Sequence, residues 1–201
     1  VHAALEAGAI TVGANAEDAS RTDINYLIRF ARAAKEAGAC RVRYCDTLGL
    51  DSPDSVYQRV YTVAREVGID IELHCHDDLG MAVANSVSGA KAAVNAGVNA
   101  YINTTVNGVG ERAGNADLLS CILAIRFARG VSETLEIGDK LDLSLAWKIG
   151  HYAADAYGMT VPINQVGIGA NAFAHESGIH ADGMLKDRHN YEIYDYELLG
   201  R

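Results

Sequence analysis

The 201-residue chain contains no run of lysine or arginine, and its acidic residues outnumber its basic ones 26 to 17, giving a formal charge of −9. A phosphate backbone is tracked by clustered cations, so nucleic acid is excluded as a partner. No apolar stretch approaches the ~20 residues a membrane helix needs, so no membrane partner is expected. The N-terminus shows neither a signal-peptide charge pattern nor an initiating Met. The expectation is a cytoplasmic protein whose first residues lie upstream of Val1. Cys40, Cys45, Cys75 and Cys121 are scattered without CxxC spacing. That excludes a disulfide framework or a thiolate zinc site and leaves them expected as small buried apolar residues in a reducing compartment. Gly108-Val109-Gly110 lacks the third glycine of the dinucleotide fingerprint, and no Gly-Lys-Ser/Thr occurs.

What is present is enough apolar material for a sizeable core, 49% of the chain, arranged in a repeat. Glu6-Ala7-Gly8-Ala9, Glu36-Ala37-Gly38-Ala39, Glu66-Val67-Gly68-Ile69 and Asn95-Ala96-Gly97-Val98 recur at steps of 30, 30 and 29. A period of this size marks a repeated supersecondary unit. Each glycine suits the left-handed cap that closes an amphipathic helix, and each precedes a strand-like run. The strands are expected at Ala9 to Gly13, Arg41 to Cys45, Ile69 to His76 and Asn99 to Thr105. Helices are expected over Asp23 to Ala37, Pro53 to Val67, Met81 to Ala96 and Ala116 to Arg129, from apolar positions at three- and four-residue spacing. Ser52-Pro53 supplies a capping hydroxyl and a proline at the first helical position.

Alternating helices and strands with short connections build an α/β fold with a parallel sheet. A polar cluster follows each strand: Glu17 and Asp18, Asp46-Thr47, His74 to Asp78, and Asn107 to Asn115. Chemistry gathered at one rim points to a (β/α)₈ TIM barrel, of which about four βα units make half. The repeat stops after Gly130. Residues 1–130 are therefore expected to form the partial barrel, and 131–201 a linker helix with the start of a small C-terminal subdomain. The linker helix carries Trp147 and Tyr152 and ends at Val161-Pro162.

Within the third strand, period-two alternation places Glu72, His74 and His76 on one face and Ile71, Leu73 and Cys75 on the other. Two imidazoles two residues apart on a strand can reach one cation, with the Glu72 carboxylate beneath them. The dense polar run Asn171 to Gly183 holds His175 and His180 five residues apart, without the further ligands a second metal needs. Glu111 and Arg112 are expected to pair as a structural ion pair.

Three stretches resemble, in order and spacing, motifs of the 2-isopropylmalate synthase and homocitrate synthase family. They are Glu72-Leu73-His74-Cys75-His76-Asp77-Asp78-Leu79-Gly80, Asn107 through Asn115, and His175 through Gly183. Glu17-Asp18-Ala19-Ser20-Arg21 and the ending Asn190-Tyr191-Glu192 through Leu199-Gly200-Arg201 look most similar to the homocitrate synthase of nitrogen fixation. The resemblance implies a (β/α)₈ barrel followed by small subdomains, a divalent cation (Mg²⁺ or Mn²⁺, with Zn²⁺ as the alternative), and the condensation of acetyl-CoA with a 2-oxo acid. It implies His74, His76 and Asn115 as metal ligands, and Thr47 with Asp46 as substrate-binding. Glu72 and His180 are the implied acid–base residues, His180 being supplied across a homodimer interface. The family opens with an acidic ligand and an arginine in a motif close to D-T-T-L-R-D-G. That motif has no counterpart here, so the chain is expected to begin near strand five and to comprise strands 5–8. The loop Val12 to Glu17 is also about two residues longer than the family pattern.

On this reading the chain makes homocitrate from acetyl-CoA and 2-oxoglutarate. The alternatives are 2-isopropylmalate or citramalate synthesis with another 2-oxo acid, or a non-catalytic half-barrel subunit completed by a complementary N-terminal chain. His180 is the better base, because an imidazole titrates near neutral pH, and Glu72 suits an orienting or relaying role. The half barrel alone is expected to be inactive.

Overall fold

In the computed structural model, which describes residues 1–138 and 141–201, four parallel strands form one sheet. They are β1 (Gly13–Ala16), β2 (Arg41–Asp46), β3 (Asp70–Cys75) and β4 (Ala100–Ile102), hydrogen-bonded in chain order. An order without reversal, joined by crossovers of one hand, stacks every connecting helix on the same face, which curls a sheet into a barrel. A doubly wound sheet would reverse its order at a switch point. The chain is thus a partial (β/α) barrel.

The helices that follow are α1 (His2–Glu6), α2 (Ile24–Glu36), α3 (Pro53–Val67), α4 (Ala82–Asn95) and α5 (Leu118–Phe127). From α2 onward, each packs beside the next. Ser52 and Ser55 cap α3 reciprocally, Ser52 Oγ accepting from Ser55 N at 3.3 Å and Ser55 Oγ from Ser52 N at 2.8 Å. The repeat glycines Gly8, Gly38, Gly68 and Gly97 all have φ between 63° and 94°, the left-handed conformation that a Cβ disfavours.

β1 lies later than the sequence suggests. Its first partner residue, Gly13, pairs with Arg41, whereas Ile10 is 97% exposed, so the strand starts where its neighbour starts rather than directly after the helix cap. β4 is shorter than expected, although Asn103 N still bonds Leu73 O at 2.8 Å.

The helix-facing side of the sheet carries Val42, Tyr44, Ile71, Leu73 and Cys75, all buried against a layer that includes Leu27, Ala31, Val56, Val60 and Ala93. Burial of each large aliphatic contributes about 1.5–3 kcal/mol. Small residues let α4 sit close: a Cβ on Gly89 would lie 2.5 Å from Leu73 Cδ1. The opposite face, the barrel lumen, holds Arg41, Arg43, Glu72 and His74.

Beyond α5 come α6 (Ala146–Ala156) and α7 (Gly178–Lys186), linked by turns. A second apolar cluster, Ile122, Leu123, Leu143 and Leu199, ties the end of the chain to α5. Gly200, at φ 73°, closes it where a Cβ would sit 1.8 Å from Ser144 O. No helix among the described residues is long and apolar enough to cross a membrane.

Candidate active site

His74 leaves β3 toward the lumen and His76 follows just past the strand end. Their rings meet edge to face with centroids 5.0 Å apart. His76 and Asn115 face each other in an isolated antiparallel bridge, both nearly buried, and the Asn115 amide lies 3.3 Å from His76 Nδ1 and 3.4 Å from Cys75 O. The structure therefore brings together all three expected ligands.

The loop that delivers Asn115 is bent by residues in left-handed backbone: Asn107 at φ 61°, Gly108 at 69°, Arg112 at 56° and Gly114 at 103°. Gly110 leaves the space that Asn115 fills, since a Cβ there would lie 2.0 Å from Asn115 Oδ1. Arg112 staples the rim. It donates to Asp78 at 2.9 and 3.0 Å and to Thr47 O at 2.6 Å, joining the loops after β2, β3 and β4. Its hydrogen bonds hold the Asp78 carboxyl below the usual range. The ion pair expected between Glu111 and Arg112 is thus corrected, because the loop carries the guanidinium across to Asp78.

Thr47 Oγ1 accepts from Asp18 N at 2.9 Å and donates to Glu17 Oε1 at 3.0 Å. Asp46, expected beside Thr47 as substrate-binding, lies elsewhere. It falls on the helix-facing parity of β2, is fully buried, and accepts from Leu50 N at 2.9 Å and Asp51 N at 3.1 Å. Its carboxylate holds the turn that presents Thr47.

Glu72 is clamped. Arg41 Nε donates to one carboxylate oxygen at 2.7 Å, and Arg43 Nε and Nη2 reach the other at 2.7 and 2.6 Å. Burial alone would raise its pKa, but the hydrogen bonds from Arg41 and Arg43 outweigh that and hold it below the usual value. A carboxylate fixed in this way is poorly placed to exchange protons near neutrality. Glu17, which has no guanidinium on it among the described residues, is the acid–base candidate that the sequence reading passed over. Its signal was its place directly after β1.

His180 lies on exposed α7, stacked on Tyr191 with centroids 4.2 Å apart and 5.9 Å from the His175 ring. No hydrogen bond or ring contact joins this group to His74 and His76 among the described residues. His175 Nε2 lies 3.4 Å from Glu192 Oε1, a distance compatible with attraction but without hydrogen-bond geometry.

Burial pushes the thiols of Cys45, Cys75 and Cys121 up to about 12, so they are protonated at neutral pH. Cys40 departs from its expected burial. It is exposed at the start of β2, its thiol donating to Val12 O at 3.3 Å.

Among the described residues no group of three or more His, Cys, Asp or Glu is placed to hold a metal. Two imidazoles and one amide nonetheless fit a divalent cation as part of its shell. The two rings meet at the rim, and Asn103 Oδ1, 3.1 Å from His74 Nδ1, leaves Nε2 of that ring unengaged, whereas the Asn115 amide, whose Nδ2 faces His76 Nδ1, would have to turn its oxygen toward the ion.

The fold is a parallel (β/α) barrel segment with paired histidines at its C-terminal rim. The chain belongs to the HMGL-like family, whose model matches residues 1–150, and within it to the 2-isopropylmalate and homocitrate synthase branch. Residues 168–201 match the model described as homocitrate synthase post-HMGL domain-like. The chain is 58% identical to a citrate (Re)-synthase of Dehalococcoides mccartyi over 201 residues, all of this chain and 48% of that protein. It is 44% identical to 2-isopropylmalate synthase 2 of Caldanaerobacter subterraneus, covering 95% of this chain and 47% of the relative. It is 41% identical to homocitrate synthase 1 of Nostoc, covering 94% and 47%. The chain thus spans about half the length of these relatives. In fold it is similar to the HMG-CoA lyase of Bacillus subtilis, with a TM-score of 0.62 and 21% identity over 80% of this chain and 54% of that one.

Proposed function

We propose that this chain is the C-terminal part of the catalytic barrel of a synthase that condenses acetyl-CoA with a 2-oxo dicarboxylate, oxaloacetate being the first choice and citrate the product. The observation that carries the condensing reaction is the meeting of the His74 and His76 rings, with Asn115 against His76, at the same strand-end rim as the Thr47–Glu17 pair. The 58% identity to a citrate (Re)-synthase, against 41% to a homocitrate synthase, supports oxaloacetate over the 2-oxoglutarate expected from motifs alone. The match of residues 168–201 to a homocitrate synthase domain keeps 2-oxoglutarate as the second reading.

A bound Mg²⁺ or Mn²⁺ would be held by His74, His76 and Asn115, and would supply charge to polarise the ketone oxygen. The chain's own residues do the rest. Thr47 turns its hydroxyl from Glu17 to the substrate carboxylate, which frees Glu17 to exchange a proton at the rim. His180, reaching the rim of a second copy, removes a proton from the acetyl methyl group. The carbon so exposed bonds to the ketone carbon, the ketone oxygen takes up a proton, and water then cleaves the thioester to release CoA.

Testing this takes the purified product of the complete gene with Mn²⁺ and acetyl-CoA, CoA release being followed with oxaloacetate, 2-oxoglutarate, 2-oxoisovalerate and pyruvate in turn. Oxaloacetate should give the highest kcat/KM. A preference for 2-oxoglutarate moves the assignment to homocitrate synthesis, a branched or shorter acid moves it further, and silence with all four removes it.

A further inference from the structure

Asn103, just beyond β4, stands between an imidazole and a carboxylate. Its Nδ2 faces Glu72 Oε1 at 3.4 Å and its Oδ1 faces His74 Nδ1 at 3.1 Å. Glu72 decides which way round the amide lies. Both its oxygens already accept from guanidinium groups, Arg41 on Oε2 and Arg43 on Oε1, so it has no hydrogen to offer. Turning the amide over would set Asn103 Oδ1 against Glu72 Oε1, acceptor against acceptor. With Oδ1 held toward His74, the hydrogen of that contact comes from the ring. A neutral imidazole donates from one nitrogen and accepts at the other, so Nδ1–H leaves the lone pair on Nε2.

We propose that Asn103, backed by the Arg41–Glu72–Arg43 clamp, is a positioning residue that fixes His74 in its Nδ1–H tautomer and thereby sets the affinity of the rim for a divalent cation. The proposal rests on the reading of His74 as a ligand given under Proposed function. The strand register delivers every member: Arg43 pairs with Glu72, Glu72 with Tyr101, and Leu73 with Ile102, which sets His74 beside Asn103. Arg41 is itself steadied 5.0 Å above the Tyr101 ring. A glutamine at position 72 could present either an oxygen or an NH₂ to Asn103, and the amide would lose its single orientation. That is the physical reason for a charged, doubly clamped residue where a neutral one would be easier to bury.

The test uses the metal-free product of the complete gene, labelled with ¹⁵N-histidine, at about pH 8, above the ordinary histidine pKa of about 6.5. Two-bond proton–nitrogen correlations distinguish the tautomers, and the His74 signals are assigned by their loss in His74→Gln. Wild-type His74 should be protonated on Nδ1, and in Asn103→Leu the Nε2–H form should appear. Mn²⁺ binding without substrate, read from the free-ion electron paramagnetic resonance signal, should weaken by ~10–100-fold in Asn103→Leu, the usual effect of removing a hydrogen-bond partner behind a ligand. Glu72→Gln should show mixed tautomers and a smaller loss. Wild-type His74 protonated on Nε2, or Asn103→Leu with wild-type Mn²⁺ affinity, overturns the proposal. A wild-type protein that binds no Mn²⁺ overturns the proposed function instead, and the tautomer spectrum, which needs neither metal nor variant, still decides whether Asn103 governs His74.

Discussion

The Thr47 hydroxyl lies 3.0 Å from Glu17 Oε1, a hydrogen bond that helps join the ends of β1 and β2 at the rim. Because Asp18 N donates to Thr47 Oγ1 at 2.9 Å, the hydroxyl has one hydrogen left and one destination for it. A substrate carboxylate must therefore compete with Glu17 for it. Thr47→Val should raise KM for the oxo acid by about 10- to 150-fold, the equivalent of about 1.5–3 kcal/mol for a hydrogen bond to a charged group. Glu17→Gln should instead lower kcat by ~10²–10⁴ with Mn²⁺ affinity unchanged. Steady-state kinetics on the two variants of the complete gene product separates the roles. Equal effects on kcat and KM in Glu17→Gln would remove it from acid–base work.

His180 and His74 should fail differently. His180→Ala is expected to lower turnover by ~10²–10⁴ and leave Mn²⁺ and oxo-acid binding intact, because the residue sits on α7 outside the histidine pair. His74→Ala should weaken both kinds of binding together. Solvent exchange of the acetyl-CoA methyl protons adds a direct reading, since a base variant loses exchange with both substrates bound. Near-normal turnover in His180→Ala would leave Glu17 as the leading base.

The repeat made much of this site readable in advance. Steps of 30 and 29 residues relate Glu17 to Thr47 and Thr47 to His76, and 29 residues separate His74 from Asn103, so equal places in successive units became neighbours at one rim. Period two put Glu72 and His74 on the same face. Neither rule reveals that Arg41 and Arg43 occupy that face too and claim Glu72, because the pairing of β2 with β3 is a register fact. Asp46 departs from its expected place beside Thr47 for a related reason. One residue of offset from Thr47 turns a side chain to the opposite layer, and a strand-end motif does not say which of two adjacent polar residues faces in. β1 starts later than expected because a glycine cap fixes where a helix ends, whereas a strand begins only where a partner strand begins.

Gly110→Ala gives a steric test of the ligand loop. Gly110 is not in left-handed backbone, so alanine is tolerated by the main chain, yet its Cβ would lie 2.0 Å from Asn115 Oδ1 and 2.9 Å from Asn115 Cγ. The amide must shift from its present position against Gly110 and His76. Mn²⁺ affinity should fall while the melting temperature changes little, since the contact is made by the end of a short side chain and no core residue is displaced. Calorimetric titration with Mn²⁺ beside a thermal melt checks both halves. Full metal affinity in this variant would mean that Asn115 contributes no donor.

The Glu72 clamp should also be visible as acid sensitivity. Arg41 and Arg43 hold the carboxyl below its ordinary value in the folded protein, and the unfolded chain has an ordinary glutamate near 4.3. A group whose folded value is depressed contributes stability that is present above the unfolded value and is lost as pH falls through the folded one. Between about pH 7 and pH 5 the contribution is therefore complete, and below about 4 it drains away as Glu72 is protonated and releases the two guanidinium groups. Other carboxylates, Asp78 among them, titrate in the same range, so the comparison has to be with Glu72→Gln. That variant should be less stable than wild type at neutral pH, because it leaves two arginines in the lumen without their anion, and the gap should close as pH falls below 4. Urea unfolding midpoints at half-unit steps from pH 7 to about 3 measure the gap. A gap that stays constant across the range would show that the carboxylate charge adds nothing to the clamp and that shape alone holds the three side chains together.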